Sequence, residues 1–385
     1  MKYDFDKLTE RRGTGSVKWE VAGGELPMWV ADMDFETAPP VKAAIIKRAE
    51  HGIFGYSDVP DAYFEAVRDF WERRHGCRFE TEWMVYSSGI VAAISSAVRK
   101  LTTPNENVVV TAPVYNIFYN SIINNGRRVL SSDLVYENGA YRVDFCDLEA
   151  KLSDPETSLM ILCNPHNPVG RIWSREELCK IGDICKRNGV TVISDEIHCE
   201  IVEPGRGYTP FAAASEVCAD ISVSCFSPSK TFNIAGLQSA CLVAKNPVLR
   251  HKIWRAVNTD EVGEPNAFAI AASIAAYTEC DAWCDSLCEY LFENRRIAEA
   301  FIESKLPMLG VTHAEATYLL WVDISKLSTD SAAFAAELRA KTGLYVSSGA
   351  AYGGNGNSFL RINLATQRER VLDALSRLEK MIGEG

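Results

Sequence analysis

Between residues 84 and 245 the chain alternates short, apolar, β-branched runs with amphipathic stretches of helical period, and few folds tolerate that alternation. The runs at 84–88, 107–112, 129–134, 159–163, 190–194, 221–226 and 240–244 read as strands. Helical patterns lie between many of them: 90–101 follows a glycine, and 176–188 has Ser174 as N-cap and Gly189 just past its end. Apolar strands alternating with helices predict an α/β fold, a mostly parallel seven-stranded sheet covered on both faces. Beyond it, 281–305 reads as a long helix stopped by Pro307. Strand 318–324, helix 332–342, strands 344–347 and 359–365, and a terminal helix from Gln367 follow, forming a smaller α+β unit. The first 45 residues carry no strand series of their own and are expected to pack onto that unit. The expected organisation is a large domain over 46–282 and a small one built from 1–45 and 283–385, which a chain of 385 residues can supply.

Charge and cysteine usage narrow the classes of function. Forty Lys and Arg against 51 Asp and Glu leave a formal charge of −11 and no dense basic block, so nucleic acid is not an expected partner. The longest nearly apolar stretch, 267–277, is alanine-rich and too short to cross a bilayer. The opening MKYDFDKLTERRG is charged throughout, unlike a signal peptide, so no membrane partner and a cytoplasmic location are expected. Twelve scattered cysteines, with no CxxC pair and no histidines at zinc-site spacing, predict buried thiols in a reducing compartment and no metal site. Cys280, Cys284 and Cys288 recur every fourth residue and read as a packing stripe on one helix face. The glycine-rich run 353–357 precedes a strand and not a helix, which argues against a dinucleotide fingerprint and for a mobile loop near a cleft. Asp32 and Asp34 read as turn or surface acids, with a pair of catalytic acids as the alternative.

Four segments interrupt strands at their C-terminal ends, where open α/β sheets gather ligands. Ser87-Ser88-Gly89-Ile90 places free N–H groups at a helix start, either an anion cup or an ordinary strand–helix turn. Asn164-Pro165-His166-Asn167-Pro168-Val169-Gly170 is a rigid turn whose carboxamides either aim into a cleft or bond their own backbone. Asp195, in Ser194-Asp195-Glu196-Ile197-His198, is costly at the mouth of a buried sheet unless a distant cation or a ligand meets it; the alternative is an N-cap. Lys230 follows a buried strand and two serines, a setting in which an amine loses its proton more easily and attacks a carbonyl; a lone lysine is otherwise a surface residue. Together the four supply what pyridoxal phosphate needs: a lysine for a Schiff base, a carboxylate for the pyridinium, an anion cup and a donor for the phenolic oxygen.

The motifs NPxNPxG, DEIH and SxSKTFNxAGL, in that order, resemble those of the fold-type-I pyridoxal-phosphate enzymes, the class I/II aminotransferase superfamily, over essentially the whole chain. The resemblance implies Lys230 as the Schiff-base lysine and Asp195 as the partner of the pyridine nitrogen. It implies Asn167 at the phenolic oxygen, Tyr115 stacked on the ring, and Gly89, Ile90, Ser227 and Ser229 around the phosphate. It implies Arg361, in FLRINLA, as the grip on a substrate α-carboxylate, a task suited to a bidentate guanidinium. Tyr56, in FGYS, matches a tyrosine that reaches the neighbouring subunit's phosphate, which implies a homodimer with shared sites. His198 either bonds near the phenolic oxygen or satisfies itself in its turn. The run Pro27-Met28-Trp29-Val30-Ala31-Asp32-Met33-Asp34-Phe35 resembles the cystathionine β-lyase and cysteine-S-conjugate β-lyase subgroup, and also reads as a strap across the sheet. Gln238 stands where many superfamily aminotransferases carry a phosphate-binding arginine, a departure that matches that subgroup. The expected activity is β-elimination from L-cystathionine or a related small-molecule cysteine S-conjugate. An amino-acid aminotransferase is the alternative, and outside enzymes a regulatory or binding protein on this scaffold.

Overall fold

The computed structural model describes residues 3–383. All seven runs become strands of one sheet: β1 (Met84–Ser87), β2 (Asn107–Val110), β3 (Arg128–Ser131), β4 (Thr157–Cys163), β5 (Thr191–Asp195), β6 (Ser222–Phe226) and β7 (Ala240–Val243). Their spatial order is β1-β7-β6-β5-β4-β2-β3. β7 runs antiparallel to both neighbours, and every other pairing is parallel. The central strands are apolar without alternation because both faces are covered. Ile161 and Ile193 pack with Ile94 and Val98 of helix Ile90–Leu101, whereas Met160, Leu162 and Val192 pack with Leu178 and Ile181 of helix Arg175–Arg187. The second helix starts with a capping box, in which Ser174 and Glu177 each bond the other's backbone N–H.

A second sheet contains β8 (Gly310–Val311), β9 (Leu319–Asp323), β10 (Ser347–Ser348) and β11 (Phe359–Asn363), in the order β8-β9-β11-β10 and antiparallel throughout. The single strand expected at 344–347 is divided: Leu344–Tyr345 pairs with Leu26–Pro27, and the chain then shifts to give β10. Helix Asp281–Lys305 spans 25 residues; Cys284 and Cys288 on it and Cys280 at its N-cap are buried in the same core cluster as Phe70 and Trp71, so the four-residue recurrence is a packing stripe. The first 45 residues touch both cores. Trp19, Leu26 and Met28 pack with Leu320 and Leu360, while Met33, Phe35 and Val41 pack with Tyr63, Phe70 and Trp71.

The glycine-rich run at 353–357, expected as a mobile loop, is instead packed closely against the residues around it. A Cβ on Gly353 would lie 2.5 Å from the Tyr119 hydroxyl, and one on Gly354 would lie 3.0 Å from Pro113 N. Asn355 accepts a hydrogen bond from the Tyr141 hydroxyl at 2.9 Å.

Candidate active site

Strands β4, β5 and β6 end side by side, with Cys163 opposite Asp195 and Asp195 opposite Cys225. Asp195 is therefore flanked by two buried thiols, makes no direct ion pair among the described residues, and is 4% exposed. Its Oδ1 accepts the Ile197 N–H at 3.2 Å. Burial pushes its carboxyl up to about 7, against the pull of the Ile197 N–H and of Lys230. Lys230 enters the same space from the loop after β6, and its Nζ donates to the Ala31 carbonyl at 2.6 Å. Burial and then the nearby Arg361 charge bring Lys230 down to about 8, although Asp32 and Asp195 oppose them.

Arg361 sits in the middle of β11 and is 5% exposed. Its Nη1 donates to Asn167 Oδ1 at 3.3 Å and its Nη2 to the Trp29 carbonyl at 3.0 Å. The guanidinium carbon lies 4.8 Å over the Tyr352 ring. Its buried Nε has no hydrogen-bond partner among the described residues. Residues 164–170, following β4, thus meet β11 of the other sheet through Asn167 and Arg361. His198 is buried with its ring edge-on to Tyr318, 5.9 Å between centroids. Burial, then Lys230 and Arg361, push it down to about 3, so it is neutral, and its Nδ1 has no partner among the described residues. Tyr115 lies close enough to feel Asp195, and burial together with that charge pushes it up to about 12.

The other end of the cleft presents a free helix start. Gly89 adopts φ +110°, a conformation glycine takes without strain, and opens helix Ile90–Leu101 with no side chain capping its first N–H groups. Register places Ser87 opposite Ala240, which brings Gln238 alongside: its Cβ lies 4.0 Å from where a Cβ on Gly89 would sit. Ser227 Oγ donates to Ser239 O at 2.7 Å and accepts the Ser229 N–H at 3.1 Å. Gln238 thus stands beside Gly89 at the start of the helix, and Ser227 ties the Lys230 loop to Ser239 next to it, with no charged side chain among Gly89, Ile90, Ser227, Ser229 and Gln238. Tyr56 stands apart. It is 103% exposed, on a stretch that also exposes Ile53 and Phe54, and it makes no hydrogen bond or ring contact with the residues above.

A strap over 28–34 crosses the cleft, and its carbonyls accept from Lys230, Arg361 and the residues beside them. The Trp29 carbonyl accepts from Arg361 and Ser347, the Val30 and Asp32 carbonyls from Asn363, and the Ala31 carbonyl from Lys230 and the Tyr318 hydroxyl. Asn233, three residues after Lys230, bonds both the N–H and the carbonyl of Met33. The acids expected at a turn or surface anchor this strap instead. Asp34 is 2% exposed and meets fully buried Lys18 at 3.0 Å, Arg11 at 2.7 Å and Trp19 Nε1 at 2.7 Å. Asp32 pairs with Arg11 at 2.6 Å. The strap lies between the two sheets, so acids on it face protein where a surface turn would face water. The Trp29 and Ala31 carbonyls, Tyr318 and Asn363 were not legible as site residues: a carbonyl has no side-chain signal, and Tyr318 reads as the first residue of a strand.

A further group of ligand-type atoms from His75, Cys199 and Glu200 lies within 4.8 Å of one another. Glu200 is already satisfied by His75 and by Arg74 at 2.7 Å, so a metal ion would have to displace a guanidinium. The cluster is an internal ion-pair anchor between helices Asp61–His75 and Asp281–Lys305, through Arg74 and Asp285 at 2.8 Å.

Chemically, the cleft offers a buried carboxylate with no direct ion pair among the described residues, two cations that repel one another, an uncapped helix start and an unpartnered guanidinium Nε. That donor set fits pyridoxal phosphate carrying an amino acid. The ring nitrogen would meet Asp195, the phosphate the helix start and serines, the carbonyl carbon Lys230, and the amino-acid carboxylate Arg361.

Residues 27–378 match the family described as Aminotransferase class I and II. The chain is 42% identical over 382 residues to the cystathionine β-lyase PatB of Bacillus subtilis (strain 168), covering 98% of this chain and 99% of the relative. It resembles the crystal structure of cystalysin from Treponema denticola, which contains a pyridoxal 5'-phosphate cofactor, with a TM-score of 0.96 at 32% identity over 100% of both chains. It also resembles a PLP-bound putative aminotransferase from Clostridium difficile 630, with a TM-score of 0.95 at 38% identity over 99% of this chain and 100% of the other.

Proposed function

The chain belongs to the class I and II aminotransferase family, and from that premise we propose that it is a pyridoxal-phosphate-dependent carbon–sulfur β-lyase. Its proposed substrate is L-cystathionine or a related cysteine S-conjugate, and its products are a thiol (homocysteine from cystathionine), pyruvate and ammonia. The observation that carries the reading is the meeting of Lys230, Asp195, Asn167 and Arg361, drawn from two sheets, in one cleft. The choice of elimination is supported by the 42% identity to a cystathionine β-lyase along almost the full length of both chains.

When bound, the cofactor supplies an electron sink for the pair left at the substrate Cα once its proton is removed. Lys230 would hold the cofactor covalently; once displaced by the substrate amine, its amine removes the α-proton as general base. Asp195, as a carboxylate, would keep a proton on the ring nitrogen, and that cation would be the direct partner its buried site lacks. Arg361 turns its Nε and an Nη toward the substrate carboxylate, with Asn167 fixing the guanidinium plane from one side and Tyr352 from below. Asn167 and neutral His198 serve the phenolic oxygen, and Tyr115 the ring face. Gly89, Ile90, Ser227 and Ser229 donate to the phosphate, with Gln238 adding no charge. Exposed Tyr56 is assigned to the site of a second copy, so the working unit is a homodimer.

Purified, cofactor-loaded protein given L-cystathionine tests the reading. Pyruvate, ammonia and homocysteine formed without an added 2-oxo acid is the expected result. Amino transfer that requires the 2-oxo acid, with no pyruvate in its absence, overturns elimination in favour of an aminotransferase.

A further inference from the structure

Tyr318 leads into β9 from a backbone that resists its conformation. Thr317, just before it, has φ +68°, a left-handed conformation that a β-branched residue rarely adopts. Four hydrogen bonds hold it there. The Thr317 N–H donates to Ile201 O at 2.7 Å, and the Leu319 N–H donates to Thr317 Oγ1 at 3.2 Å. Buried Arg295 donates to the carbonyls of Thr317 at 3.3 Å and Leu319 at 2.8 Å. Strain of this kind persists only where the surroundings over-determine it, and it concentrates at working sites.

What the turn delivers is the Tyr318 hydroxyl, on a side chain 1% exposed, at 3.0 Å from the Ala31 carbonyl oxygen. Lys230 Nζ donates to that same oxygen at 2.6 Å. One carbonyl oxygen has two lone pairs, and both are taken here by donors that compete for its electron density. A phenol sharing the acceptor weakens what the carbonyl can give to an ammonium. We propose that Tyr318 is a positioning residue for Lys230: through the shared Ala31 carbonyl it fixes where the released amine rests and keeps that amine less basic. The inference rests on the role given to Lys230 above.

In the step served, the substrate Cα–H bond breaks and its electron pair stays on the substrate carbon, to be delocalised into the cofactor. A new N–H bond forms on Lys230, and the resulting ammonium remains on the Ala31 oxygen. Only the neutral amine can accept that proton, so a resting place that disfavours the ammonium favours the step. The other charges that reach Lys230 are Arg361 from β11, Asp32 from the strap and Asp195 from β5, with neutral His198 beside Tyr318. A change at Tyr318 leaves all of them in place.

The test uses the full chain stripped of cofactor, and follows the visible band formed as Lys230 captures pyridoxal phosphate covalently across pH. The capture rate reports the neutral fraction of Lys230 without any turnover. Tyr318→Phe removes the competing donor and is expected to raise the midpoint by about 0.5 to 1 pH unit, the size of one net hydrogen bond. In the loaded enzyme the acid limb of kcat moves up with it, while KM is unchanged. Site-specific 3-fluorotyrosine at 318 keeps ring and hydroxyl but donates more strongly, and is expected to move both midpoints down, even if the phenylalanine variant does not fold. An unshifted midpoint in folded Tyr318→Phe, or a shift of the same sign in both variants, overturns the proposal. Failure of the wild-type chain to capture the cofactor on Lys230, read by borohydride trapping and mass spectrometry, overturns the functional reading instead.

Discussion

Asp34→Asn removes one charge from the anchor of the strap with almost no change of shape. The side chain of Asp34 is 1% exposed, and that of its partner Lys18 is 0% exposed, with 3.0 Å between Nζ and Oδ2. Removing one partner of a buried pair leaves an uncompensated charge and costs about 3–5 kcal/mol. Lys18 keeps Asp32 at 3.8 Å, and an asparagine can still accept from Trp19, so the low end of that range applies, about 3 kcal/mol. Urea unfolding of both proteins at several pH values measures it. Burial alone would raise the Asp34 carboxyl, but Lys18, Trp19, Thr366 and Arg11 together hold it below its ordinary 3.8. A lowered folded pKa stabilises fully above the unfolded value and is lost as pH falls through the folded one. The gap between wild type and variant should therefore be constant from pH 7 to about 4 and close below that. A gap under about 1 kcal/mol at pH 7, or one that widens on acidification, would refute the claim that Asp34 carries a stabilising buried charge. The loosened strap also carries the Trp29 and Ala31 carbonyls, so the KM for substrate should rise in the same variant.

Two further outcomes test the cleft. Arg361→Leu should lower kcat/KM for an amino-acid substrate by about 10²–10⁴ through loss of two charge-assisted bonds, and Arg361→Lys should recover only part of it; steady-state kinetics with a lysine variant near wild type would contradict bidentate binding. Asp195→Asn should abolish elimination in loaded enzyme yet stabilise the cofactor-free chain. The folded carboxyl titrates at about 7 against 3.8 unfolded, so wild-type stability falls as pH rises through that window. The variant, lacking this loss, should gain about 3 kcal/mol over wild type by pH 8, read from urea midpoints at pH 5 and pH 8.

The strands most legible in the sequence were those buried on both faces, because a continuous apolar run between turn residues has few other readings. β4 and β5 are of this kind, and helix Asp281–Lys305 was legible from its long apolar period. The hairpin joining Val135–Glu137 to Ala140–Arg142 lay outside that series, since its strands are short and largely at the surface. Its Asn138-Gly139 turn, with φ +51° and +80°, is nevertheless a strong local signal. Leu344–Tyr345 and β10 were read as one strand because the pattern does not show a change of partner at Val346.

The order of motifs from Gly89 to Arg361 by itself determined the family and the kind of cofactor, because that chemistry needs particular side chains at strand ends. It also determined the sheet, because strand burial is written in local composition. Only the tertiary structure decided that Arg361 meets Asn167 across 194 residues, that Asp34 is an internal anchor, and that Lys230 and Tyr318 share the carbonyl of Ala31. Those contacts join backbone atoms and side chains from two sheets, and the interaction of such groups depends on separations of a few ångströms that no local pattern of residues encodes.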